Sequence, residues 1–170
     1  MRNYNLKFTK ITKVKSPERG TPGSAGIDFF IPENINCIKN ANDYKFTEHT
    51  NENNFEIIIK PGQSILIGSG IKVKVPGGFA LIAFNKSGIA IKKSLLAGAC
   101  VIDSDYEGEI HFDLKNVSNK EVKLSSNDKI LQFLLMPVNH QSPIEISTPE
   151  ELFKDSQSER GEGRFGSTNI

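Results

Sequence analysis

The stretch Ile71-Lys-Val-Lys-Val-Pro-Gly-Gly-Phe-Ala-Leu-Ile-Ala-Phe84 decides the fold. Residues 71–75 alternate strictly between apolar and charged, the period of a strand with one face in a core. Pro76-Gly77-Gly78 breaks the pattern with turn chemistry. Residues 79–84 are then almost continuously apolar, as in a strand buried on both faces. Two adjoining strands with no helical period between them point to β structure.

The same period continues outward in both directions. Ile110-His-Phe-Asp-Leu114 alternates, and Phe55–Ile59, Ser64–Ile67 and Ile130–Leu135 read as further strands. Pro61-Gly62 and Ser125-Ser-Asn-Asp128 separate them. Short strands at this spacing predict an all-β sandwich or barrel. Helical signals are confined to Ser87–Lys93 and to Thr148-Pro-Glu-Glu, where an N-cap residue precedes a first-turn proline. Residues 33–54 hold seven asparagines and little periodicity. They read as a polar insertion with a short strand near Tyr44–Phe46, and no chemistry is assigned to them.

At 170 residues the chain can bury one substantial core, and 37% hydrophobic with 24% charged residues is a globular balance. A net charge of +1 argues against a broad nucleic-acid or anionic-lipid footprint, though not against a small charged ligand in a local pocket. Cys37 and Cys100 are the two cysteines, too few and too distant for a disulfide framework. No stretch approaches spanning length and the first residues lack an apolar signal core. The expectation is an intracellular, cytoplasmic protein with neither a nucleic-acid nor a membrane partner.

Five segments carry candidate chemistry. Asp28 follows small residues where a strand begins, and can hold a metal's water shell, pair with an arginine, or simply end a turn. Lys86-Ser87-Gly88 combines a cation, a hydroxyl and turn amides suited to phosphate, although an ordinary polar turn has the same composition. Leu96–Ile102 is apolar or small and runs into Asp103. A carboxylate after such a run is expected to be partly desolvated, as a general base should be. Backbone groups from Gly98 through Ala99, Cys100, Val101 and Ile102 alternate donors and acceptors that can read a pyrimidine edge. Tyr106 offers a flat face for a sugar. Gln132 interrupts an apolar strand, and its amide needs a partner from ligand, neighbour or core. Last, Arg160-Gly-Glu-Gly-Arg-Phe-Gly-Ser-Thr168 sets a stacking ring, Phe165, beside phosphate donors Arg160, Gly166, Ser167 and Thr168 on a glycine-rich strap.

In this order the segments Ser24–Asp28, Lys86–Gly88, Gly98–Ile110, Asp128–Gln132 and Arg160–Thr168 resemble the signature of the trimeric deoxyuridine triphosphatase (dUTPase) family. The resemblance implies a distorted jelly-roll of the β-clip type over residues 1–153, with 154–170 as a C-terminal lid. It implies a homotrimer with shared active sites. One chain gives Asp28, Lys86, Ser87 and Gln132, a second the Gly98–Tyr106 hairpin, a third Arg160 and Phe165. The implied reaction is hydrolysis of dUTP to dUMP and pyrophosphate with Mg²⁺ bridging the phosphates. Asp103 would activate water, Ser87 would contact the α–β region, Asp28 would act through metal-bound water or Arg160, and Phe165 would stack on uracil. Three positions depart from the family pattern: Lys86 for arginine, Cys100 for glycine, and Arg164 for glycine; the 33–54 insertion has no counterpart. A deoxycytidine triphosphate deaminase shares fold and some motifs, and a non-catalytic nucleotide sensor is the reading from a different class.

Overall fold

The computed structural model describes residues 4–34, 36, 38, the backbone of 45–46, 55–158 and 161–163. The chain divides into two units, Met1–Asn139 and His140–Ile170. The first unit carries strands β1 (Lys7–Lys10), β2 (Ile27–Phe30), β3 (Lys45–Phe46), β4 (Glu56–Ile59), β5 (Ser64–Lys74) and β6 (Phe79–Asn85). Helix α1 (Ser87–Lys93) follows, then β7 (Leu95–Ala97), β8 (Val101–Ile102), β9 (Glu109–Asn116), β10 (Val122–Ser125) and β11 (Lys129–Pro137). The second unit contains helix α2 (Pro149–Leu152), started as its sequence predicts: Glu151 N donates to the Thr148 cap hydroxyl over 3.1 Å.

Three sheets form, ordered β1-β5-β9-β7, β2-β11-β6-β8 and β10-β4-β3. Their pairings are antiparallel. Sequence neighbours are mostly not sheet neighbours, so the chain crosses repeatedly between layers in a distorted jelly-roll. The alternation that opened the sequence reading is realised directly. Ile71, Val73 and Val75 are buried while Lys72 and Lys74 are exposed.

The sequence suggests separate strands at 64–67 and 71–75, but the structure joins them into β5. Gly68-Ser69-Gly70 is absorbed as an irregularity in the pairing with β9 rather than a turn. Gly70 has φ +70°, and a Cβ there would stand 2.5 Å from Thr12 Cγ2. Only glycine fits that kink.

Phe29 on β2, Phe112 on β9 and Phe133 on β11 join two sheets in the core, with centroids 4.5 Å apart for Phe29–Phe133 and 6.2 Å for Phe112–Phe133. Such aromatic pairs add ~0.5–1.5 kcal/mol each beyond area burial. The 33–54 insertion is partly anchored: Ile38 is buried and bridges Ile67, and β3 pairs with β4. No described helix is long and apolar enough to cross a membrane.

Candidate active site

Two groups of sequence-selected residues form on the β2-β11-β6-β8 sheet. The first gathers where β6 ends. Gln132 on β11 lies opposite Asp28 on β2 and Phe84 on β6, and its Nε2 donates to the Asn85 carbonyl over 3.1 Å. Asp28 is only 4% exposed. Its carboxylate accepts from Lys86 Nζ at 2.8 and 3.0 Å and lies 3.5 Å from Lys129 Nζ. Lys129 also donates to Glu18 at 2.8 Å, and Glu18 exchanges both backbone hydrogen bonds with Asp28. Glu18 and then Asp28 hold the Lys129 ammonium above the usual lysine range. A buried carboxylate needs this pairing, because charge removed from water is costly unless compensated.

Lys86 serves as the N-cap residue of α1, yet its side chain makes no cap and is spent on Asp28. The turn read at Lys86-Ser87-Gly88 is therefore a helix start. Ile89 N and Ala90 N bond back to the Lys86 carbonyl, and Ser87 and Gly88 are exposed. The nearby arginine of the 18–28 loop takes another course: Arg19 Nη1 donates to the carbonyls of Ser24 and Ala25, each at 2.6 Å.

The second group is the passage from β7 to β8. β7 belongs to one sheet and β8 to another, so Gly98-Ala99-Cys100 crosses between layers. Ala97 N donates to Asn85 Oδ1 at 2.7 Å, Ala83 N donates to the Cys100 carbonyl at 2.7 Å, and Gly98 N donates to the Asp113 carbonyl at 2.9 Å. A cavity of about 210 Å³ opens beside the passage. It is lined by Ala99 through Asp103, Tyr106 and residues 109–111. Tyr106 donates its hydroxyl proton to the Glu109 carbonyl at 2.8 Å, which fixes the ring.

One expectation changes here. Asp103 is exposed in the single chain, as is Val101 before it, so its own subunit does not supply the desolvation inferred from the apolar run. Cys100 does not strain the backbone: Ser94 and Asn127 are the described non-glycine residues with positive φ. Its thiol instead donates to the Gly98 carbonyl at 2.9 Å.

The described lining of this cavity includes none of Asp28, Lys86, Ser87 or Gln132. Arg160, Arg164, Phe165, Gly166, Ser167 and Thr168 lie outside the described residues. Sequence reading missed Lys129, Glu18, Asn85 and Asp113. Lys129 stood within the Asp128–Gln132 segment, whereas Asp113 carried no signal beyond alternation. No group of three or more His, Cys, Asp or Glu side chains that could hold a metal occurs among the described residues. Asp28, the carboxylate the sequence offers to a metal's water shell, is buried with both oxygens engaged by ammonium groups.

A dUTPase family model matches residues 53–169. The deoxyuridine 5'-triphosphate nucleotidohydrolase of Fusobacterium nucleatum is 32% identical over 170 residues, covering 99% of both chains. That of Hydrogenobaculum sp. is 30% identical over 156 residues, covering 91% of this chain and 90% of the relative. Among solved structures, the Staphylococcus bacteriophage 80alpha dUTPase with dUpNHpp superposes with a TM-score of 0.73 at 20% identity, covering 99% of this chain and 100% of that one. The dUTPase of S. aureus phage phi11, described with a structural Mg(II) ion, gives 0.65 at 17% identity over 86% of this chain and 99% of that one. By the family model and these relatives, the chain belongs to the dUTPase family.

Proposed function

We propose that this chain hydrolyses dUTP to dUMP and pyrophosphate in a site shared among three copies. The observation that supports it most is the exposed Asp103 at a small cavity walled by Ala99–Ile102 and a fixed Tyr106. The cavity offers main-chain groups for a base, a flat ring for a sugar and a carboxylate for water. Its openness, and the separate position of Asp28, Lys86, Ser87 and Gln132, suit completion by another subunit.

In this reading Asp103 takes a proton from water while the water oxygen bonds to the α-phosphorus. The bond from that phosphorus to the bridging oxygen breaks, and pyrophosphate leaves. Lys86, Ser87 and Gln132 orient the phosphate chain, with exposed amides at the start of α1 nearby. Tyr106 packs beneath deoxyribose, where a 2′-hydroxyl would not fit. Magnesium, when bound, would supply neutralisation of charge on the phosphates, and Asp28 would be the residue to meet it through water. Residues 154–170 form the lid, with Phe165 over uracil and Arg160, Gly166, Ser167 and Thr168 on phosphate.

The test is pyrophosphate release from dUTP, UTP, dTTP and dCTP with magnesium, together with ammonia release from dCTP. Strong preference for dUTP without ammonia supports the hydrolase. Deamination of dCTP, or binding without turnover, overturns it. A chain lacking residues 160–170 should turn over dUTP far more slowly.

A further inference from the structure

We infer that Asp113, in the middle of β9, is a positioning residue that sets specificity for the base. The inference rests on the proposed dUTP hydrolysis and adds a residue to it. Along β9 the core takes Ile110, Phe112 and Leu114, so Glu109, His111 and Asp113 project from the opposite face. Glu109 accepts from Gly70 N at 2.8 Å, back toward the β5 kink. Asp113 reaches the other way, into the crossing that walls the cavity.

That crossing has few internal supports. Gly98 N extends the β7–β9 ladder by one rung to the Asp113 carbonyl at 2.9 Å. Past that rung the ladder ends, and the Asp113 side chain replaces it: Oδ2 accepts from Ala99 N at 3.1 Å. A hydrogen bond to a carboxylate is stronger than one to a neutral carbonyl. The contact is also sterically closed. A Cβ on Gly98 would collide with Asp113 Oδ2 and stand 2.6 Å from its Cγ. Glycine at 98 and the carboxylate at 113 are thus a matched pair.

Asp113 thereby takes two of the three amides in Gly98–Cys100, and β6 takes the Cys100 carbonyl through Ala83 N at 2.7 Å. Cys100 N–H makes no hydrogen bond among the described residues, which leaves the segment one uncommitted main-chain donor beside the cavity. That N–H can donate to a uracil carbonyl and opposes the amino group of cytosine. Its placement depends on Asp113. Tenths of an ångström matter, since a site built on hydrogen bonds discriminates by leaving the wrong ligand unpaired.

The experiment compares Asp113→Ala with Asp113→Asn in the full chain. The amide oxygen of asparagine can still accept from Ala99 N. Asp113→Ala should raise KM for dUTP about tenfold and lower the dUTP-over-dCTP ratio by about as much, the size of one lost positioning hydrogen bond. Its kcat should change less than about twofold, because the attacking water and phosphates are untouched. Asp113→Asn should recover most of both. If the alanine variant does not accumulate folded, Asp113→Ser, too short to reach Ala99, replaces it with the same expected split. KM and base preference unchanged in the alanine or serine variant, or equal damage in the asparagine variant, overturns the inference. Hydrogen exchange at the Ala99 amide decides the geometry independently of turnover: it should quicken in Asp113→Ala and not in Asp113→Asn, and equal exchange in both overturns it. Normal dUTP cleavage by the parent with an unaffected Asp113→Ala variant sinks this inference alone. A parent that does not cleave dUTP sinks the hydrolase reading.

Discussion

The cluster around Asp28 and the crossing at Gly98–Cys100 are built from different materials. Asp28, Lys86, Lys129 and Glu18 are tied by side-chain charges at 2.8–3.5 Å. The crossing is tied by main-chain donors to Asp113, and by Ala83 and Ala97 to their partners on facing strands. Charges on long side chains can be exchanged for others of like sign with modest loss. Main-chain groups cannot be exchanged, only displaced, and an atom added at Gly98 must push the Asp113 carboxylate off Ala99 N. The two regions therefore predict opposite responses to conservative substitution.

The largest effect is expected at the end of the crossing. Asp103→Asn keeps size and polarity but removes the proton acceptor. General-base assistance contributes ~10²–10⁴-fold, so kcat for dUTP should fall within that range with little change in thermal stability. A single-turnover assay for pyrophosphate measures it, and kcat within about threefold of the parent would remove Asp103 from the chemistry. Gly98→Ala comes next. One methyl group must displace the Asp113 carboxylate or the crossing itself, and overpacking of this kind costs ~1–3 kcal/mol. Thermal unfolding should show the loss and KM should rise. A variant with the parent's Tm and KM would break the contrast between the regions.

How far the sequence reveals these regions follows from the same distinction. Period-two alternation gave β5, β6, β9 and β11, because each buries one face or both and each face must be apolar. Separate strands were expected where β5 is continuous, since Gly68-Ser69-Gly70 has turn composition and only tertiary pairing with β9 makes it a kink. Asp28 and Lys86 were legible as polar residues at strand ends and Gln132 as one interrupting an apolar strand, and the fold brings them together. Lys129 was overlooked because a lysine beginning a strand looks like any solvated charge; its second contact comes from β2, about a hundred residues earlier in the chain. Asp113 was invisible for a related reason. Its partner Ala99 follows β7, 14 residues away in sequence, and nothing local distinguishes it from the other polar residues on the outer face of β9. The exposure of Asp103 also escapes local reading, because apolar neighbours in sequence do not guarantee cover in space.

The charged cluster supplies the intermediate effects. Lys86→Met leaves the buried Asp28 with Lys129 at 3.5 Å as its remaining described cation. An undercompensated buried carboxylate costs ~1–3 kcal/mol, visible in chemical denaturation. Lys86→Arg keeps the charge and adds a planar fork suited to phosphate. Turnover of dUTP should be unchanged or raised by up to about threefold. A clear fall in turnover would show that the pairing with Asp28 depends on the lysine's shape rather than its sign, and would erase the contrast with the crossing.

The smallest effect is expected at Lys13–Glu33, an ion pair of 2.6 Å away from both regions. The Lys13 ammonium, hydrogen-bonded to Glu33, holds that carboxyl below the usual glutamate range, with a lesser contribution from Asn127. A carboxyl whose folded value is depressed adds stability that is whole above its unfolded value and is lost as pH falls through the folded one. Lys129 has the opposite sign: its raised value adds stability that is whole below the ordinary lysine range and fades as pH climbs through the elevated value. Both contributions are intact at neutral pH. Glu33→Gln should therefore lower Tm slightly at pH 7 and flatten its fall on the acid side below about pH 5, because the group that would titrate is gone. Glu18→Gln should do the same on the alkaline side above about pH 10. Solvent screens both pairs, so each change should be small beside those at Gly98 and Lys86. Unfolding scans across pH measure the two limbs separately. An acid limb in Glu33→Gln as steep as the parent's would show that the Lys13–Glu33 pair does not carry the acid sensitivity.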